Sequence, residues 1–337
     1  LNLSMKMIKS DLSMLGISHD NFVSEKSIVE SKTLDKAINL LKKTNYVDEG
    51  YLDPPKGEEI KNWKKTKRLL FKSTLFGDDS DRALQKNDGS WTYFANDIAY
   101  HFNKVSRNYD KLINILGADH TGYIKRIESA VKALSQNKTI LECKVCQLVK
   151  LFKNGEPFKM SKRAGDFISV NDLLSEVNKD SIRFMMLNRS NDVELDFDFD
   201  KVLEKSKDNP VYYIQYCHAR IQSLLRSTNN TSLNKKIAKI DKEFNNYERE
   251  ILRKIFEWPK VVKISSNKCE PHRIPFYLYE LATLFHSYWS KGNEDEKYKF
   301  IKNGKISNNN ILTIISLILL VLKNGMGILN VSLPDKM

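Results

Sequence analysis

Cysteine is scarce, with four residues in a chain of 337. Together with the lack of a signal-peptide-like stretch, this argues against a disulfide-built secreted fold and for a reducing compartment, the cytoplasm by default. Two of the four form Cys143-x-x-Cys146, but no second pair or Cys/His set accompanies them. They lie in a predicted strand, where odd spacing turns the two side chains to opposite faces, so they read as structural thiols and no metal site is expected. Long apolar runs are missing too. The stretch from Ile311 to Leu322 falls short of the ~20 residues a membrane-spanning helix needs. It reads as a buried helix, and no membrane association is expected. There is no internal repeat at a solenoid period. Acidic residues are outnumbered, 42 against 55 lysines and arginines, a formal charge of +13. An excess of that sign points to a polyanionic partner such as nucleic acid.

The most informative segment that is present runs Phe158-Lys159-Met160-Ser161-Lys162-Arg163-Ala164-Gly165. Two lysines around a Met-Ser pair in a glycine-tethered loop suit a polyphosphate whose charge grows during reaction. Ammonium groups that engage most strongly in the transition state accelerate such a step. Upstream, Val145–Phe152 is apolar and strand-like, and Asn154-Gly155 is a strong hairpin-turn signal. Downstream, Asn171 and Asp172 are expected to cap a helix carrying Leu173, Leu174 and Val177. The basic loop is therefore tethered between ordered flanks.

Length predicts two or three domains. Residues 1–88 read as helices with irregular polar connections. Residues 89–200 carry an α/β rhythm, in which Leu112–Gly117 predicts a buried strand and Ile124, Ile127, Val131 and Leu134 follow at helical spacing. Between these lie Asp119 and His120, at a strand's carboxyl end, where open α/β sheets bind ligands. From 201 to 337 the pattern is helical, opening at Asn209-Pro210, with Val211, Ile214, His218, Ile221 and Leu225 down one face. The fold expected is a nucleotide-binding α/β domain followed by an all-α domain.

Several separated blocks together resemble one family. They are Asp88-Gly89-Ser90-Trp91-Thr92-Tyr93-Phe94-Ala95-Asn96-Asp97-Ile98-Ala99-Tyr100-His101, then Gly117-Ala118-Asp119-His120, the lysine loop, and Ser206–Pro210 with the tyrosines beyond it. The loop looks like the KMSKS signature of class I aminoacyl-tRNA synthetases, and the whole chain is similar to the arginyl-tRNA synthetases of bacterial type. The resemblance implies a Rossmann-type catalytic domain followed by a helical-bundle anticodon-binding domain. It implies ATP with Mg2+, arginine and tRNA as reactants and partners, in a cytoplasmic protein that is monomeric when complete. Lys159, Ser161 and Lys162 would be catalytic. Gly117, Asp119, His120, Phe158 and Met160 would line the ATP and adenylate site.

Tyr93 and Asp97 would hold the arginine guanidinium, and the residue types suit that role. A carboxylate can accept two parallel N–H bonds from a planar cation, and positions i and i+4 share a helix face. Tyr212, Tyr216 and Arg220 would meet unpaired tRNA bases, as aromatics and arginine do in RNA readers. One departure concerns phosphate chemistry. Class I synthetases carry a His-x-Gly-His signature, and none of the six histidines here (His19, His101, His120, His218, His272, His286) stands in such a pair. The chain is therefore expected to be the carboxyl-terminal part of a longer enzyme and inactive alone. Two other readings are a non-catalytic tRNA-binding fragment and a cysteinyl-tRNA synthetase. The latter is disfavoured by the lack of a zinc-ligand set.

Overall fold

A computed structural model describes residues 2–51, 66–158, 168–230 and 243–337. The chain divides into two units, one of His19–Leu148 and the other of Leu1–Ser18 with Val149–Met337. Helix α1 (Asn2–Met14) belongs to the second unit.

In the first unit, α2 (Glu25–Glu30) and α3 (Thr33–Lys43) are followed by β1 (Val47–Gly50), β2 (Arg68–Phe71) and β3 (Arg82–Ala83). The three strands form an antiparallel sheet in the order β1-β2-β3, so the first 88 residues hold a sheet where only helices and connections were expected. Next come α4 (Tyr93–Val105), β4 (Lys111–Gly117), α5 (Ile124–Ser135) and β5 (Ile140–Cys146). Strands β4 and β5 pair in parallel, Lys111 with Ile140 through Gly117 with Cys146. Parallel neighbours need a crossover between them, and α5 supplies it. Its apolar stripe buries Ile127, Val131 and Leu134.

The expectation of a fully buried β4 is corrected. Leu112 packs on Ile127 and Val131, whereas Ile113 and Ile115 are exposed. Strand side chains alternate between faces, and here only the face toward α5 is covered. The unit's main core joins Leu34, Ile38 and Leu41 of α3 to Phe71, Leu84, Phe94 and Ile98.

In the second unit, β6 (Val149–Lys153) and β7 (Glu156–Pro157) form a hairpin whose turn residues Asn154 and Gly155 both have positive φ, 54° and 74°. Asn and Gly tolerate that region, which is why the pair marks this turn. The apolar run expected as one strand from Val145 is broken, because β5 ends at Cys146 and β6 starts at Val149. The helices α6 (Val170–Glu176) and α7 (Lys179–Leu187) precede β8 (Leu195–Asp198), which pairs in parallel with β6. The cap of α6 is Ser169 rather than Asn171 or Asp172. Ser169 and Asp172 form a reciprocal capping box, with Asp172 at the third helical position.

After α8 (Phe199–Leu203), Asn209 caps α9 (Pro210–Ser227), with Pro210 at the first helical position, where its missing N–H costs nothing. Then follow α10 (Asn246–Lys268), α11 (Arg273–Glu294), the short hairpin β9 (Ile301–Lys302) with β10 (Lys305–Ile306), and α12 (Asn309–Leu329). The hairpin interrupts the all-helical pattern expected there. Helix α12 contains the apolar run, and Ile314, Ile315, Ile318 and Leu322 are fully buried against α9 and α11 residues such as Ile214, Ile221, Leu281 and Phe285. It is long and apolar enough to cross a membrane by composition alone, but its most apolar positions form the centre of this core.

Candidate functional site

Thr92 fixes the start of α4. Its side-chain oxygen accepts from the Ala95 amide at 3.3 Å, and its hydroxyl lies 3.1 Å from the Ala83 carbonyl at the end of β3. A cap of this kind satisfies one of the helix's unpaired donors. Phe94, Ala95, Ile98 and Ala99 turn into the core. That leaves Tyr93, Asn96, Asp97 and Tyr100 facing a pocket of about 410 Å³, closed on the α2 side by Val23, Glu25 and Ile28. The structure thus brings Tyr93 and Asp97 to one cavity. Tyr93 is 82% exposed at its rim.

Asp97 is half-buried, and burial raises its pKa, with Glu25 adding to the rise and the Tyr123 hydroxyl opposing it more strongly. That hydroxyl donates to Asp97 Oδ2 at 2.7 Å. The Tyr123 pKa is raised in turn, by burial and by the same bond, so the proton stays on the tyrosine. Asn96 Nδ2 donates to Glu25 Oε1 at 3.3 Å. Two carboxylates therefore face a cavity that, among the described residues, no lysine or arginine lines. A cation with N–H donors would offset the cost of burying Asp97 as an ion.

A buried polar chain supports α4 from behind. His101 Nδ1 lies 2.8 Å from the Asp97 carbonyl, and its Nε2 is 2.9 Å from Asn114 Nδ2. Because a carbonyl only accepts, Nδ1 carries the proton, and Nε2 accepts from the Asn114 amide. Asn114 Oδ1 accepts in turn from Lys104 Nζ at 2.9 Å. Burial pulls the His101 pKa down to about 4, which keeps the ring neutral.

At the end of β4, Gly117, Asp119 and His120 lie exposed on a short 3-10 turn, Ala118–Tyr123. His120 Nε2 is 3.4 Å from Asp119 Oδ2. A side chain at 117 would put its Cβ 2.6 Å from Asp119 Oδ1, so glycine is needed for the aspartate to fold back. In the second unit, Phe158 follows the β6–β7 hairpin, its ring 4.9 Å from that of Phe199. Lys159, Met160, Ser161 and Lys162 lie outside the described residues.

On α9, Tyr212 and Tyr216 stack with ring centroids 5.8 Å apart and planes 10° from parallel. The Arg220 guanidinium lies 4.3 Å from the Tyr216 ring centroid and donates to the Tyr216 hydroxyl at 2.6 Å. Its other nitrogen donates to His286 Nδ1 at 3.0 Å, which leaves His286 Nε2–H to reach the Tyr213 carbonyl at 3.3 Å. Burial, with a contribution from Arg220, pulls the His286 pKa down to about 4. Beside this cluster is a pocket of about 660 Å³ lined by Tyr216, Arg220, Arg226, Trp289, Lys336 and Met337 among others, with no acidic side chain among the described residues of its wall. Among the described residues no group of three or more His, Cys, Asp or Glu side chains gathers as metal ligands.

Residues 15–225 match the family model of the class I (R) tRNA synthetase catalytic domain, and residues 214–337 match the DALR anticodon-binding domain. The chain belongs to the arginyl-tRNA synthetase family. It is 57% identical over 335 residues to the arginine--tRNA ligase of Pelagibacter ubique and 46% identical over 341 residues to that of Ruegeria pomeroyi. Each match covers 99% of this chain but 58% of the relative. A Campylobacter jejuni structure assigned as an arginyl-tRNA synthetase superposes with a TM-score of 0.81 at 32% identity, covering all of this chain and 68% of that one. The Thermus thermophilus arginyl-tRNA synthetase gives 0.74 at 19% identity, covering 97% and 62%, and so shares the fold. A class I catalytic domain followed by a helical DALR domain is thus the architecture of this arginyl-tRNA synthetase family member.

Sequence reasoning missed several residues in or beside these pockets, among them Glu25, Tyr123, Trp289 and Arg226. Glu25 stands 71 positions from its partner Asn96, and Tyr123 stands 26 from Asp97. Trp289 and Arg226 give no local sign of their neighbours around Arg220. Only the charged or aromatic character of each residue was available to mark them.

Proposed function

We propose that this chain supplies the arginine pocket, the nucleotide edge and the anticodon-reading domain of an arginine-tRNA ligase, which activates arginine with ATP and transfers it to the terminal adenosine of tRNA in the cytoplasm. The observation that carries the reading is the Asp97 pocket, in which two carboxylates and tyrosine rings surround a cavity with no lysine or arginine among its described lining residues. A guanidinium matches that charge and geometry. Asp97 takes its N–H groups, Tyr93 covers its plane, and Glu25 adds a second negative charge.

Gly117, Asp119 and His120 line the ribose side of the adenylate, with Phe158 and Met160 beside the adenine. Lys159 and Lys162, with Ser161 between them, draw charge from the polyphosphate as the α-phosphate is attacked. Magnesium enters with the ATP phosphates as part of the substrate. Residues 1–88 serve as the connective part, 89–200 as the second half of the nucleotide fold, and 201–337 as the anticodon-binding domain. There, Tyr212, Tyr216 and Arg220 offer stacking faces and positive charge to unpaired bases.

The test is ATP-dependent attachment of labelled arginine to tRNA by the enzyme that contains this chain. Asp97→Asn should cut kcat/KM for arginine by about tenfold or more, the worth of a charge-assisted hydrogen bond, with the KM for ATP little changed. Unaltered arginine kinetics would remove Asp97 from the site.

A further inference from the structure

Tyr93 borders a second pocket, of about 370 Å³, whose lining includes Arg82, Thr92, Tyr123 and Arg126. The two arginines differ in state. Arg82 is already neutralised: its Nε and Nη2 donate to the two Asp78 oxygens at 2.7 and 2.8 Å, and Nη2 also meets Asp79. Arg126 has no ion pair among the described residues. Its guanidinium lies 5.5 Å from the Tyr123 ring centroid, and its Nε is buried without a hydrogen-bond partner. Because that Nε is enclosed, a ligand in the pocket would meet the guanidinium through its two terminal nitrogens. The described lining of the pocket thus includes one guanidinium without an ion pair, beside the Tyr123 ring.

We propose that this pocket is a phosphate subsite in which Arg126 binds a backbone phosphodiester of the single-stranded 3′ end of tRNA. The inference rests on the proposed ligase function. The guanidinium fork fits two phosphate oxygens, and flanking aromatic faces suit an unpaired strand. Position supports the same ligand. Tyr93 lines both pockets, so a strand held at Arg126 ends beside the cavity assigned to arginine, whose carboxyl group is to be joined to the RNA. Tyr123 ties the two together, because its ring faces Arg126 while its hydroxyl holds Asp97. The residues assigned to the nucleotide edge, Gly117, Asp119 and His120, do not line this pocket, which favours RNA over ATP as the source of the phosphate.

The experiment compares equilibrium binding of an arginine-accepting tRNA, and of the same tRNA shortened by its three terminal nucleotides, to this chain and to its Arg126→Gln variant. Arg126→Gln should weaken the intact tRNA by about tenfold, the effect of one charge-assisted contact, and leave the shortened tRNA unchanged. Arg126→Lys, which keeps the charge without the fork, should recover part of the loss, and thermal melting of both variants checks that they fold. Equal weakening of both RNAs, or of neither, would overturn the proposal while leaving the ligase reading intact. So would a loss of ATP binding, measured by dialysis, with RNA binding unaffected. Failure of the unsubstituted chain to bind either RNA would remove the tRNA reading and this proposal together.

Discussion

The Tyr123 hydroxyl donates to Asp97 Oδ2 at 2.7 Å across 26 residues of sequence, and this bond opposes the effect of burial on the carboxylate. Burial raises the Asp97 pKa, and the Tyr123 bond is the largest influence holding it down. Tyr123→Phe should therefore raise the Asp97 pKa further. Since a guanidinium needs the ionised carboxylate, arginine affinity in the variant should begin to fall at a higher pH than in the parent. At neutral pH the loss should be about 1 kcal/mol, the usual net worth of one hydrogen bond. The pH profile of the arginine KM checks this, and superimposable profiles would separate Tyr123 from the pocket's chemistry.

Arg220 is held by the Tyr216 hydroxyl and by His286 with its guanidinium over the Tyr216 ring. Arg220→Ala should release Tyr216 and remove one positive charge from the pocket beside it. Binding of tRNA should weaken by roughly 1–3 kcal/mol, the range for loss of a base-stacking platform. The salt dependence should become shallower by about one unit of slope if Arg220 also meets a phosphate. Titrations at two salt concentrations supply both numbers. Affinity and slope matching the parent would place RNA elsewhere on the helical domain.

His101 and His286, one in each unit, are buried, and burial holds both at about 4 against an ordinary value of 6.5. Between those values the unfolded chain binds protons that the folded chain does not, so stability falls as pH drops from about 6.5 toward 4. Each histidine contributes at most about 3 kcal/mol to that loss. Thermal melting followed from pH 7 to pH 4.5 should show a steady fall in midpoint. A flat profile would mean that neither ring stays neutral in the fold.

Much of this was legible in the sequence wherever a local rule decides the structure. Asn154-Gly155 marks a turn because both residues need positive φ, and Asn209-Pro210 marks a helix start because one caps and the other tolerates the first position. The family resemblance assigns Tyr93 and Asp97 to one cavity, and their i and i+4 places on one helix face agree with it. The β1–β3 sheet was not legible, since strands of four, four and two residues carry too little alternation to register. The exposed face of β4 was hidden for another reason. Ile113 and Ile115 are as apolar as their buried neighbours, and only the packing of α5 shows which face is covered. Glu25 and Tyr123 reach the pocket through tertiary folding, which no spacing rule encodes.

The most direct measurement of the central claim is calorimetric titration of this chain, and of its Asp97→Asn variant, with arginine and with citrulline. Citrulline keeps the shape of arginine but replaces the guanidinium by a neutral ureido group. The account predicts that the parent binds arginine at least about tenfold more tightly than citrulline, and that Asp97→Asn abolishes the preference. Equal affinity for the two ligands in the parent, or an undiminished preference for arginine in the variant, would contradict it.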